Sequence, residues 1–233
     1  MGRTVRRDEI AGNLTAVRAR IDAACAAAGR DGAGVTLIAV TKTYPASDVD
    51  HLAALGVTDM GENRDQEAAP KAAAVTAPVR WHYIGQLQRN KARSVVGYAD
   101  VVHSVDSLRL AEALGTAVSK LRDRPLEVLM QISIDGDPHR GGVPADGVAA
   151  LADSIAALPG LVLRGVMAVA PQDLAPEDAF ARLAGVAARL RAEHPGADLI
   201  SAGMSGDLEA AIAHGATHVR VGGALLGMRA PLR

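Results

Sequence analysis

The chain has 233 residues, of which 49% are hydrophobic, 22% charged and 2% aromatic, so it is long enough to bury one sizeable core. Its 25 lysines and arginines balance 26 aspartates and glutamates, for a formal net charge of -1. A charge so close to zero argues against a dedicated nucleic-acid binder and against a protein drawn to an acidic membrane surface.

The first predicted element is an amphipathic helix over residues 11–28, and Gly29 follows it as a typical terminator. The apolar residues that recur three or four positions apart are Leu14, Val17, Ile21 and Cys25. The arginines before this helix lead into no apolar stretch, which argues against a signal peptide, and no run of about 18 apolar residues occurs later. As the single cysteine, Cys25 excludes an internal disulfide and suits a reducing compartment, so we expect a cytoplasmic protein.

An alternation of short apolar runs and longer helical segments follows, which is typical of βα units and a parallel sheet. The runs predicted to be strands are 35–40, 57–61, 81–85, 101–105, 126–134, 163–170, 199–202 and 218–221. The clearest helical segments between them are 107–121, 144–158, 176–193 and 207–214. The predicted fold is therefore α/β, a single (β/α)8 TIM barrel domain over residues 1–233 with an extra N-terminal helix. An open doubly wound sheet is the alternative, weakened because no G-x-G-x-x-G follows the first run.

A barrel of this kind builds its chemistry at the carboxyl ends of its strands, and the first such end carries Lys42. Desolvation there favours a neutral, nucleophilic amine. The alternative is a lysine at the rim whose ammonium extends into water. Of the other lysines, Lys71 and Lys120 fall on helical segments and are interpreted as solvated surface, and Lys91 as structural support near the barrel mouth.

The third run, Trp81-His82-Tyr83-Ile84-Gly85, holds the only tryptophan of the chain. We interpret Trp81 as a core residue rather than as the wall of a ligand site. Because side chains alternate along a strand, His82 faces the opposite side from Trp81 and Tyr83. Whether that side is the barrel interior stays open at this point.

The last two predicted strands lead into turns of small residues, Ser201-Ala202-Gly203-Met204-Ser205-Gly206-Asp207 and Arg220-Val221-Gly222-Gly223. Such turns before helices offer backbone N–H groups to an anion, and Arg220 adds a forked cation, so we predict a phosphate site here. Asp207 is interpreted as the N-cap or a first-turn residue of its helix. A lysine amine and a phosphate site around one mouth suit either pyridoxal 5′-phosphate or a sugar-phosphate substrate.

Five segments of the chain match a known pattern, and the most specific of them is WHYIGQLQRNK at 81–91. The others are 39–43 with Pro45, 60–63, 203–207 and 219–222. In these segments the chain resembles the pyridoxal phosphate homeostasis proteins, which look like the N-terminal barrel of alanine racemase standing alone. The similarity runs from near Asp8 to the end of the chain.

The resemblance implies that pyridoxal 5′-phosphate is bound as a covalent aldimine on Lys42, with Asn63 near its ring. It also implies that the cofactor is held by the two turns, through Ser201, Gly203, Met204, Ser205, Arg220, Gly222 and Gly223. Arg220 could meet either the phosphate or the pyridine nitrogen. Gly223 stands where many relatives have Thr or Ser, which removes a hydroxyl donor and leaves backbone N–H groups to compensate. No catalytic residue and no metal ligand are predicted.

The resemblance favours a carrier or reservoir in vitamin B6 homeostasis without dedicated catalytic turnover. Alanine racemase needs a second, β-rich domain that supplies a tyrosine as the base on the opposite face, and we expect this chain, which ends at Arg233, to lack it. None of Tyr44, Tyr83 and Tyr98 lies in such a domain. The alternatives are a pyridoxal phosphate-dependent amino-acid racemase or lyase and, with less support, a Schiff-base aldolase. The expected partners are apo-enzymes that receive the cofactor, and the expected state is a monomer.

Overall fold

The computed structural model describes residues 2–137 and 141–227. Within them, parallel strands close into a barrel in which each strand pairs with the next in sequence and the last pairs with the first. The strands are β1 Thr36–Val40, β2 Asp59–Glu62, β3 Arg80–Tyr83, β4 Val101–Val105, β5 Leu126–Gln131, β6 Leu161–Met167, β7 Leu199–Ser201 and β8 His218–Val221. The predicted (β/α)8 barrel is confirmed, and the open doubly wound sheet is excluded.

Helices surround the strands, and no helix in the described ranges is long and apolar enough to cross a membrane. The α-helices are α1 Gly2–Ala27, α2 Ala46–Ala54, α3 Asp65–Ala74, α4 Ala92–Val96, α5 Leu108–Leu121, α6 Val148–Ala157, α7 Pro176–Glu193, α8 Leu208–Ala213 and α9 Gly223–Leu226. Short 3-10 turns lie at Gly32–Gly34, Arg89–Lys91 and Ala145–Gly147.

The extra N-terminal helix completes the outer ring of the barrel. Among the described residues, which extend to 227, only one helical turn, α9, follows β8, and α1 packs against α2, α8 and α9 in the space that a longer eighth helix would fill. Two side chains of α1 bind the carboxyl end of α9: Arg6 donates to the carbonyl of Leu226 at 2.9 Å and Asn13 to that of Leu225 at 3.1 Å. These bonds satisfy carbonyls at the end of a helix that would otherwise lack partners.

The two faces of the strands are packed differently. The outward face meets the helices, and Trp81 lies there, buried in the cluster that includes α1, which confirms it as a core residue. The inward face carries a small apolar cluster of Val101, Leu129 and Met167. His82 also points inward, because its ring bonds His103 of β4.

Candidate functional site

The lysine predicted to be the reactive group lies in a turn directly after β1. Thr41 at the strand end is buried, whereas Lys42 and Thr43 are exposed. The expectation that this position desolvates the amine is therefore wrong, and the rim alternative describes Lys42. Thr43 has a φ of +68°, in the left-handed region that β-branched residues rarely adopt.

A buried cluster of charges holds this turn from below. The Nζ of Lys71, on α3, donates to the carbonyl of Thr41 at 2.7 Å, to Oε1 of Glu62 at 2.6 Å and to Oε1 of Glu67 at 2.9 Å. Thr41 donates its hydroxyl to the same Glu62 oxygen at 2.6 Å, and the N–H of Thr43 donates to Glu67. Burial raises the pKa of Glu62. The interpretation of Lys71 as solvated surface is wrong, because α3 lays its side chain under the end of β1.

Asn63 follows β2, the strand that pairs with β1. Its side-chain Oδ1 is buried and has no hydrogen-bond partner among the described residues. The chain after β3 passes so close to it that a Cβ at Gly85 would overlap the Asn63 backbone, so only glycine fits there. A buried amide oxygen without a partner is costly unless a ligand or water completes it, and this fits a polar ligand at the mouth.

The turn after β7 is closed by its own residues. Gly203 has a φ of +89°, and a Cβ there would come within 2.7 Å of the Cβ of Ala211. Asp207 is the N-cap residue of α8, as predicted, and its Oδ1 accepts from the N–H of Met204 at 2.6 Å. That bond occupies the Met204 amide, and the Met204 side chain is exposed, so Met204 has little left to offer an anion. The Ser205 carbonyl is held by Arg20 of α1 at 3.0 Å, a support that sequence reasoning missed.

The turn after β8 lies beside the Lys42 turn, since β1 and β8 pair with Ala39 opposite Val221. Helix α9 starts at Gly223 after the N-cap residue Gly222. The first amides of a helix have no acceptor within it. Backbone N–H groups of this turn therefore face the same end of the barrel as the lysine.

Ser201 and Arg220 lie deeper, inside the barrel. Arg220 is 4% exposed, and its Nη1 donates to both the carbonyl and the hydroxyl of Ser201 at 2.8 Å. Its Nη2 donates to the carbonyl of Ala168 at 2.9 Å. Burial lowers the pKa of Arg220 to about 10, so the guanidinium stays charged at pH 7. The hydroxyl of Ser201 is fully buried and engaged here, below the turn in which it was expected to meet phosphate.

The structure thus brings most predicted site residues to one mouth, at the carboxyl ends of neighbouring strands. Those at the mouth are Lys42, Asn63, Gly203, Ser205, Gly222 and Gly223. Arg220 and Ser201 form the floor beneath them.

Comparisons with known proteins agree with this architecture. The family model described as "Alanine racemase, N-terminal domain" matches residues 12–230. The chain is 43% identical over 244 aligned residues to the pyridoxal phosphate homeostasis protein of Mycobacterium tuberculosis H37Rv, covering 96% of this chain and 94% of the relative. It is 39% identical to the protein of the same name from Escherichia coli K12, covering 95% and 97%. The structure of PipY from Synechococcus elongatus PCC7942 with PLP bound superposes with a TM-score of 0.82 at 34% identity, covering 94% of this chain and all of that one.

Proposed function

The chain belongs to the pyridoxal phosphate homeostasis protein family, within the wider alanine racemase N-terminal domain family, and we propose that it holds pyridoxal 5′-phosphate for intracellular vitamin B6 homeostasis. It acts as a reversible carrier without a dedicated catalytic turnover. The observation that supports this proposal is that the turn that carries Lys42 and the turn after β8 follow paired neighbouring strands at the same end of the barrel.

The residues at the barrel mouth offer groups that match the aldehyde, the phosphate and the ring of the cofactor. When bound, the cofactor supplies an aldehyde that a lysine amine captures reversibly, and Lys42 is the lysine that would hold it. Backbone N–H groups of Ser205, Gly222 and Gly223 would bind the phosphate. Asn63 would lie near the ring, where its buried amide oxygen gains a partner. Arg220 would meet the cofactor from below as an oriented cation.

The tyrosines offer no ready base for a racemase. Tyr44 and Tyr83 are buried and Tyr98 is half-buried, and burial raises the pKa of Tyr83 to about 12 and also raises that of Tyr98. Tyr44 donates its hydroxyl to the carbonyl of Gly227 and stacks under Arg6, 5.8 Å from the guanidinium carbon. A phenol with a raised pKa is neutral at pH 7 and a poor general base. This supports the carrier over the racemase or lyase alternative.

The test of the cofactor link is Lys42→Arg, which keeps the positive charge and removes the nucleophilic amine. We expect the purified protein to show the visible absorption band of a bound imine and, after borohydride reduction, a cofactor adduct on the peptide that contains Lys42. The variant loses both signals and keeps its circular dichroism spectrum. Lys120→Arg, a lysine on α5, is the matched control and keeps both. An adduct on another lysine, or one that persists in Lys42→Arg, contradicts the assignment.

The carrier role is tested separately by following a panel of amino-acid enantiomers with the loaded protein. We expect no turnover above that of free pyridoxal phosphate. A robust racemase or lyase rate on any amino acid contradicts the carrier proposal while leaving the Lys42 assignment intact.

We further propose that the chain works as a single-domain monomer in the cytoplasm and delivers its cofactor to apo-enzymes. Transfer is measured with an apo-enzyme in the presence of a scavenger of free pyridoxal phosphate. Direct delivery predicts reactivation that the scavenger does not slow. Reactivation that falls to the rate of release into solution contradicts it.

A further inference from the structure

One continuous chain of hydrogen bonds runs through the barrel interior and uses residues from five strands. The Nη1 of Arg220 lies 2.8 Å from Oγ of Ser201, which lies 2.9 Å from Nδ1 of His103. The Nε2 of His103 lies 2.8 Å from Nδ1 of His82, whose Nε2 lies 2.9 Å from Oδ1 of Asp59. Both nitrogens of both imidazoles are therefore used. The bond between His103 on β4 and Ser201 on β7 joins strands that are not neighbours, so it crosses the interior.

Asp59 and Arg220 pair with the same residue of β1, Ile38, but their side chains face different ends of the barrel. Arg220 forms the floor of the mouth at the carboxyl ends of the strands. Asp59 is the first residue of β2, at the amino end, where it lines a surface cleft with Arg18 and Asp22. Within the described residues, no carboxylate bonds Arg220 directly, although Asp207 acts on it through space. This series of hydrogen bonds thus connects the buried guanidinium of Arg220 to the carboxylate of Asp59.

The donors in this chain can be ordered from its two ends. Arg220 can only donate, and an ionised Asp59 can only accept. Although burial acts against it, the hydrogen bond from His82 helps to lower the pKa of Asp59, and burial holds the pKa of His103 well below its ordinary value. If both imidazoles are neutral, every bond points the same way, and both histidines carry their proton on Nε2. A different proton on either ring would break the order.

Ordinary core packing does not account for this arrangement. The interior of a barrel is usually filled by branched aliphatic side chains, and buried polar groups are costly unless every member of the network is satisfied. Here His82, His103, Ser201 and Arg220 are all buried, with 4% exposure or less, and each has its partners. The network therefore maintains a specific geometry at its upper end, where Arg220 sits.

We propose that Asp59, His82, His103 and Ser201 form a positioning relay that orients the Arg220 guanidinium under the mouth and so sets how firmly the cofactor is held. Asp59 acts on Arg220 through three intervening side chains, and Arg220 in turn acts on the cofactor. The relay rests on the proposed function, because Arg220 matters to retention only when pyridoxal phosphate occupies the mouth.

The first test uses the cofactor-free protein and so is independent of the proposed function. Nitrogen-15 spectra of the imidazoles near pH 7, assigned with His82→Gln and His103→Gln, report which ring nitrogen carries the proton. The relay predicts a single proton on Nε2 of both His82 and His103. A proton on Nδ1 of either ring overturns the ordered chain.

The second test removes the charge at the far end. Asp59→Asn keeps an oxygen that can accept from His82, and we expect the dissociation constant for pyridoxal phosphate to rise about tenfold, the size typical of a lost charged hydrogen bond. The Nε–H resonance of Arg220 shifts in the same variant without cofactor. Glu127→Gln is the matched control, since it removes a carboxylate at the same rim that pairs with Arg80 at 2.7 Å instead of joining the chain. Equal effects of the two variants overturn the relay.

A double-mutant cycle decides whether the effect travels along the chain. Ser201→Ala interrupts the hydrogen-bond chain next to Arg220. Adding Asp59→Asn to this variant is therefore expected to raise the dissociation constant by less than about twofold. Additive losses mean that Asp59 acts by another route, and they overturn the relay. If the unaltered protein binds no pyridoxal phosphate, the proposed function fails, whereas the imidazole and Arg220 spectra still decide the relay.

Discussion

At the scale of single residues, Lys71 contributes more to the site than its place on a helix indicated. Its amine is the cation against which the buried Glu62 is balanced, at 2.6 Å, with side-chain exposures of 5% and 0%. Removing one partner of a buried ion pair leaves the other charge uncompensated, which typically costs about 3 to 5 kcal/mol.

Lys71→Met is therefore expected to lower the free energy of unfolding by about 3 kcal/mol, measured by urea denaturation. Adding Glu62→Gln to this variant removes the unpaired charge and recovers part of the loss. Lys120→Met on α5 serves as the control and changes stability by less than about 0.5 kcal/mol. If the double variant is no more stable than Lys71→Met, the loss comes from packing and not from the uncompensated carboxylate.

Residue-level prediction worked where the signal was local. The alternation along β3 correctly separated His82 from Trp81, and the position of Asp207 before a helical segment identified an N-cap. Lys71 was misjudged because its partners come from other segments: Thr41 ends β1 and Glu62 ends β2. Its spacing of four residues from Glu67 was the one local signal, and that spacing is equally common in exposed helical pairs.

At the scale of elements, the existence of the strands was predictable, whereas their ends were not. The run predicted at 126–134 ends as a strand at Gln131, and the run predicted at 163–170 forms a strand from Leu161 to Met167. Helix α1 begins at Gly2 and not at residue 11. Its first turns are rich in arginine, and one of these, Arg6, pairs with Asp48 at 2.8 Å, a contact 42 residues away that no local pattern reveals.

The turn between β7 and α8 depends on one glycine. Gly203→Ala puts a side chain at a positive φ and against Ala211, so we expect a loss of about 1 to 3 kcal/mol in the free energy of unfolding and weaker pyridoxal phosphate retention. Gly206→Ala in the same turn is the matched control, because a Cβ there meets nothing within 4 Å. Chemical denaturation and a dissociation constant measure both effects, and a Gly203→Ala protein as stable as Gly206→Ala contradicts the account.

At the scale of the whole molecule, the parallel sheet followed from the alternation of runs and helices, because parallel strands need crossovers of this length. Its closure was favoured over an open sheet because no G-x-G-x-x-G follows the first run. The polar interior did not follow. It is a relation among residues of β2, β3, β4, β7 and β8, each of which alone resembles an ordinary polar residue in a strand. The same interior side chains fill the barrel and form the floor of the candidate site.

This interior makes the stability of the molecule depend on pH. His218 on β8 lies 6.2 Å from the ring of His82, and burial lowers its pKa from 6.5 to about 4, while burial also lowers the pKa of His103. The unfolded chain therefore binds these protons more readily than the folded one. The stabilisation is complete above about pH 6.5 and is lost as the pH falls towards about 4, with about 3 kcal/mol from His218 alone. Urea denaturation at a series of pH values measures it, and His218→Gln is expected to flatten the slope between these limits. An unchanged slope in that variant assigns the acid sensitivity to His103 or to the carboxylates instead.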